Sequence, residues 1–311
     1  MGVLFMRKSL ILLLICSILL TSCTTSNAPA PPPSQTVSNV QEVEKPKFTK
    51  DTYPKVDGST ATIPLSEAIA SSILQISNIE ANTLIKHNTT HNAYVNLINN
   101  SADIIFVTEP SKEELNLAKE AKVELEIIPI VKEGFVFLVN TKNPVNSLTI
   151  KQIQDIYQGK INNWSKVGGE EKDIIAYQRE PNSGSQTLME QLVMKGLTLA
   201  DHPKTLVYGM EGLIESIAKY DNSEKALGYS VFYYAKTMYN KDTIKLLAID
   251  DIAANNKNIA SGKYPFTTAY YAVLKKNTAS DAPSRKLLKW ILGNDGQKLA
   301  EECGYVPLEV K

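Results

Sequence analysis

Cysteine is nearly missing from this chain. Three occur in 311 residues, and Cys16 and Cys23 lie in a leader-like N-terminal segment, so Cys303 stands alone as a small packed residue. That excludes a disulfide framework, and the fold has to be held by its core. An excess of one charge sign is also missing, since 33 Lys and Arg face 33 Asp and Glu. Nucleic acid and polyanionic surfaces therefore find no broad electrostatic footprint, and any anion has to be held locally. Histidine is scarce, with three residues, none in a context that marks a general base. No Gly-x-Ser-x-Gly elbow is present, so nothing nominates a catalytic residue and the chain reads as a non-enzyme. His87 and His91 stand at i, i+4, but no Glu lies between them and no third ligand is indicated. Thr89 and Thr90 instead read as caps for the helix that follows, so no metal or cofactor is called for.

What is present starts with a leader. Arg7 and Lys8 precede an apolar stretch over 9–20 that is too short to span a bilayer comfortably, and Leu20-Thr21-Ser22-Cys23 closes it. Leucine, two small residues and cysteine resemble a bacterial lipobox, which implies removal of 1–22 and a lipid on the Cys23 sulfur. An ordinary signal peptide or N-terminal anchor is the alternative. Residues 23–50 contain Ala-Pro-Ala-Pro-Pro-Pro-Ser and few large apolar side chains, so they read as a disordered tether.

The stretch Gln178-Arg179-Glu180-Pro181-Asn182-Ser183-Gly184-Ser185 has the pattern of a strand end, a tight turn and a helix start near Ser185. A helix start offers unpaired N–H groups and a positive dipole end to an oxyanion. Ser183 and Ser185 would add hydroxyls, Gly184 close backbone approach, and Arg179 a fork of donors shaped for such an anion. The same residues also read as a plain N-cap beside an unrelated surface arginine. A second turn of this kind, Asp57-Gly58-Ser59-Thr60, leads into a helical pattern over 66–74, which suggests one ligand gripped from two sides.

Apolar strand patterns over 104–107, 124–131, 134–140, 226–232 and 243–249 alternate with helical ones over 149–157, 210–219 and 282–292. The class is α/β with mostly parallel sheet.

From Asp57 onward the chain resembles the substrate-binding lipoproteins of phosphate-type ABC transporters. The segments that carry the likeness are Asp57-Gly58-Ser59-Thr60, Ser101-Ala102-Asp103-Ile104-Ile105-Phe106, Tyr157-Gln158-Gly159-Lys160, Gln178-Arg179 with Ser183-Gly184-Ser185, and Gly228-Tyr229-Ser230. The resemblance implies two lobes of the periplasmic-binding-protein type, each a mostly parallel sheet flanked by helices, with ligand in the cleft between them. Lobe 1 would be residues 51–132 with 246–311, and lobe 2 residues 133–245. It also implies capture of phosphate or a related tetrahedral oxyanion by Ser59, Thr60, Arg179, Ser183, Gly184 and Ser185, with Ser185 in place of the family's threonine. Delivery to an ABC permease, a monomeric state and a lipid anchor on the extracytoplasmic face complete the expectation. Phosphate binders of the family carry a carboxylate after the Asp-Ile strand that accepts a hydrogen bond from a protonated phosphate and repels fully ionised sulfate. Thr108-Glu109-Pro110 stands there, so Glu109 is the candidate, with a solvated turn residue as its other reading. A tethered anion sensor or adhesin of the same fold remains the alternative to transport.

Overall fold

The computed structural model describes residues 43–201, 205–219 and 224–309. The leader over 1–22, Cys23 and the tether up to residue 42 lie outside them. Residues 43–50, expected to belong to the tether, are packed down: Val43 meets Gly293, Lys45 donates to Ser72, and Phe48 sets its edge on Tyr53. Two apolar side chains with neighbours to cover them suffice to hold this stretch against the folded unit.

Strand β1 (Val56–Gly58) comes first, then helices α1 (Ile63–Leu74), α2 (Asn78–Leu84) and α3 (Thr89–Ile98), and then β2 (Ile104–Val107). β1 and β2 pair in parallel and every side chain in both is buried, as in strands covered on two faces. α4 (Lys112–Glu120) opens on a reciprocal cap, Ser111 accepting from the Glu114 N–H and Glu114 from the Ser111 N–H. β3 (Leu125–Asn140) follows as one strand of 16 residues. The two strands expected there are joined because the polar Lys132-Glu133-Gly134 break is buried: Glu133 accepts the N–H of Gly134 and of Tyr233.

The next elements are β4 (Ser147–Leu148), α5 (Ile150–Tyr157), β5 (Ile175–Ala176), β6 (Gln178–Arg179), α6 (Gly184–Leu188), which runs on as π-helical turns over Met189–Met194, and β7 (Leu206–Val207). Then come α7 (Met210–Ala218), β8 (Ala226–Val231), β9 (Ile244–Leu246), β10 (Ala248–Ile249), α8 (Asn256–Ala260), β11 (Thr267–Lys275), α9 (Pro283–Ile291) and α10 (Asn294–Glu302).

The main sheet runs β1-β2-β11-β3-β8-β5, with β9 also on β3. β3 pairs with β11 over residues 125–134 and with β8 and β9 from Phe135 on, so it passes from one part of the sheet to the other at Gly134. The α/β class stands, but the sheet is mixed rather than mostly parallel. Parallel pairs form where helices cross over, β1 with β2 and β5 with β8, whereas every pairing made by β3 and β11 is antiparallel. Phe135, Phe137, Tyr157 and Tyr229 pack edge to face or tilted, with centroids 5.3–6.3 Å apart, and form a rigid floor under β6.

Candidate functional site

The first wall is built from the end of β1. Ser59 N–H donates to Phe106 O and the chain turns through Thr60–Thr62 into α1. Only glycine fits at 58, because a Cβ there would lie 2.8 Å from Phe106 O and from Thr62 Oγ1. Asp57, buried, accepts from the Gly58 N–H, the Asn88 N–H and side chain, and the Asn96 side chain. It thereby fixes the loop that brings in Thr89, Thr90 and His91. Thr89 holds φ at +68°, a strained value for a β-branched residue, just where the loop reaches the cavity.

The second wall is β6 and the turn after it. Arg179 is only 5% exposed. Its Nη1 donates to Ser185 Oγ at 3.0 Å, and its Nε and Nη2 donate to the two carboxylate oxygens of Glu180, each at 2.9 Å. Burial pushes the Glu180 carboxyl up, but the bonds and charge of Arg179 outweigh it and hold the group below the ordinary carboxylate range. Tyr229 braces the same point from the aromatic floor, accepting the Arg179 N–H at 2.9 Å and donating to Gln186. Ser183 caps α6, its Oγ accepting from Gln186 N–H and its carbonyl from Thr187 N–H. The N–H groups this leaves over are those of Gly184 and Ser185.

Ser59, Thr60, Arg179, Ser183, Gly184 and Ser185 all line one cavity of about 180 Å³. Gly184 sits where the walls meet: a Cβ there would come 2.5 Å from Thr108 Oγ1 and 2.7 Å from Thr90 Oγ1. Across the mouth Asn182 donates to Glu113, and outside the cavity the exposed Gln191 donates to Pro110 O. Thr108 Oγ1 is buried in the wall without a protein partner among the described residues, a hydroxyl that a ligand oxygen would satisfy.

Glu109 is not part of this wall. Thr108 takes the position at the cavity, and the next side chain accepts instead from Tyr271 Oη at 2.7 Å on β11. The carboxylate that does line the cavity is Glu180, held on Arg179. Sequence reasoning passed over Glu180 for want of a charge pattern that distinguishes it from a turn residue, read Thr90 as a helix cap where Asn88 holds the N-cap position, and passed over Thr108 because a lone threonine carries no signal. His87 and His91 turn to different partners, Ser66 Oγ and Glu114 Oε1. Burial, against the pull of Asp57, pushes the His87 imidazole down to about 4.

A family model described as a PBP superfamily domain matches residues 48–295, which includes both walls of the cavity. The chain belongs to the PBP superfamily. It is 26% identical over 276 residues to protein SphX of Synechococcus elongatus, covering 82% of this chain and 77% of that one. It is 22% identical over 254 residues to the phosphate-binding protein PstS of Bacillus subtilis, covering 81% and 80%. In three dimensions it is similar to an ABC-type phosphate transport receptor from Vibrio cholerae, with a TM-score of 0.62 at 22% identity over 81% of this chain and 99% of that one. This last likeness is one of fold.

Proposed function

We propose that this chain is the extracytoplasmic binding component of a phosphate ABC transporter, which takes phosphate into the cavity and delivers it to a permease. The observation that carries the reading is the buried Arg179 beside the start of α6, with Ser183, Gly184 and Ser185 on one side and Ser59 and Thr60 on the other. Hydroxyls, two free N–H groups and one guanidinium surround a space that suits a small tetrahedral oxyanion. Names borne by relatives, such as the phosphate-binding protein of Bacillus subtilis, support the same substrate. Glu180 neutralises Arg179 and places a carboxylate near the ligand, which is tolerable when the anion itself brings a proton.

Residues 51–132 with 246–311 and residues 133–245 serve as two lobes, closing on the ligand by motion where β3 runs from one into the other. Neither catalysis nor a cofactor enters this cycle. The protein acts as a monomer held to the membrane by lipid on Cys23; Cys23→Ala should release it or leave it unprocessed, and normal processing with unchanged retention would contradict the anchor. The decisive experiment is calorimetric titration of residues 43–311, stripped of ligand by partial unfolding, with phosphate, sulfate and molybdate. Phosphate heat absent from wild type would end the phosphate assignment.

A further inference from the structure

His91 lines the cavity, yet none of the ligand groups named so far includes it. Its Nδ1 lies 3.1 Å from Glu114 Oε1, and the other Glu114 oxygen accepts the Ser111 N–H at 2.7 Å. Glu114 is fully buried behind the wall, while the imidazole is 31% exposed. Burial pushes the Glu114 carboxyl up, against the Ser111 N–H and the His91 contact; in its ionised form it accepts from Nδ1, which then carries the ring proton. Nε2 is then the nitrogen left over, and it has no protein partner among the described residues.

Resting on the phosphate reading, we propose that His91 is a specificity-determining residue of the same site, whose Nε2 selects between oxyanions by whether they carry a proton. In the neutral ring Nε2 is a lone pair. It accepts the P–OH hydrogen of mono- or dihydrogen phosphate and is repelled by the bare oxygens of sulfate. When Nε2 takes a proton from solvent it becomes a charged donor, and sulfate is admitted as readily as phosphate. His91 thus supplies the proton acceptor expected of Glu109, from a different element.

The groups that face the ring act in both directions. Glu114 on α4 faces Nδ1, and the ring stands on the first turn of its own helix α3. Across the cavity Arg179 and Glu180 oppose one another and are paired together. Glu113 is engaged with Asn182 at the mouth, Tyr94 donates to Thr108 O, and Glu109 accepts from Tyr271.

Sulfate is the right probe, because it does not itself titrate in the range used. Its affinity is measured by calorimetry at about pH 8 and about pH 5.5 for wild type, His91→Gln and Glu114→Gln, with phosphate at about pH 8 as the reference. In wild type, sulfate should tighten roughly tenfold or more on acidification, and in His91→Gln by less than about twofold. In Glu114→Gln the gain should move to lower pH. Imidazole nitrogen NMR on the phosphate complex should find the proton on Nδ1. Circular dichroism and thermal unfolding check that each variant is folded, and His91→Asn stands in if His91→Gln is not. A sulfate affinity independent of pH in wild type, or rising equally in His91→Gln, would overturn the proposal, as would a proton on Nε2 at about pH 8. Wild type that binds sulfate with this pH dependence but not phosphate would end the phosphate assignment and leave the role of His91 standing. Wild type that binds neither anion overturns both.

Discussion

Glu133 is a carboxyl with no counter-ion among the described residues, buried where β3 changes partners. Its Oε1 accepts the N–H groups of Gly134 and Tyr233, at 2.8 and 3.2 Å, and Oε2 lacks a well-formed bond. Burial raises its pKa from 4.5 to about 7, against the pull of those N–H groups. The folded chain therefore holds this proton more tightly than the unfolded chain does. Its contribution to stability is fully present below about pH 4.5 and is lost as pH rises through about 7. A shift from 4.5 to about 7 corresponds to roughly 3 kcal/mol, at about 1.4 kcal/mol per unit. Glu133→Gln keeps the acceptor for the two N–H groups and removes the titration. Urea unfolding of the ligand-free protein from about pH 5 to about pH 8 should show wild type losing on the order of 3 kcal/mol relative to the variant. Taking the difference cancels His87, whose depressed pKa acts in the opposite direction and is common to both proteins. Parallel curves for the two proteins across this range would refute the argument, since the carboxyl would then ionise without penalty.

Three further outcomes follow from the site. Arg179→Ala should weaken phosphate by on the order of 2–5 kcal/mol, since it removes a buried charge-assisted contact and strands Glu180; calorimetry showing a loss within about threefold would put the anion elsewhere. Gly184→Ala pushes a methyl into Thr90 and Thr108 and should cost about 1–3 kcal/mol in thermal stability as well as phosphate affinity; an unchanged melting temperature and affinity would mean that the walls do not close on this residue. Glu109→Gln should leave the ratio of phosphate to sulfate affinity within about twofold of wild type, because Glu109 is bound to Tyr271 outside the cavity. A shift beyond about tenfold would return it to the site.

The walls of the cavity were legible because each is a local device. Ser59 and Thr60 follow a strand and start a helix, and Arg179 with Ser183, Gly184 and Ser185 does the same, so short-range patterns mark both. What the sequence left unread depends on contacts far along the chain. Glu109 and Glu180 are both acidic residues next to proline in turns; which one reaches the cavity is decided by Tyr271 on β11 and by the Arg179 guanidinium. The single run of β3 was hidden for the same reason, as Lys132-Glu133-Gly134 looks like a turn until Val306 and Tyr233 supply its partners. The helix α2 has 7 residues and buries only Ala81, too little periodicity to be read in advance.

The place of β11 between β2 and β3 sets a timetable for the newborn chain. A ribosome delivers β1, β2 and β3 early, but the strand that joins the last two is made only when Thr267–Lys275 has emerged. Until then β2 and β3 each offer an open edge to any strand nearby. The early half can form helices and a parallel pair, and cannot close its sheet before Thr267–Lys275 has been made. A chain built this way leaves its main sheet unfinished until residues 267–275 have been made.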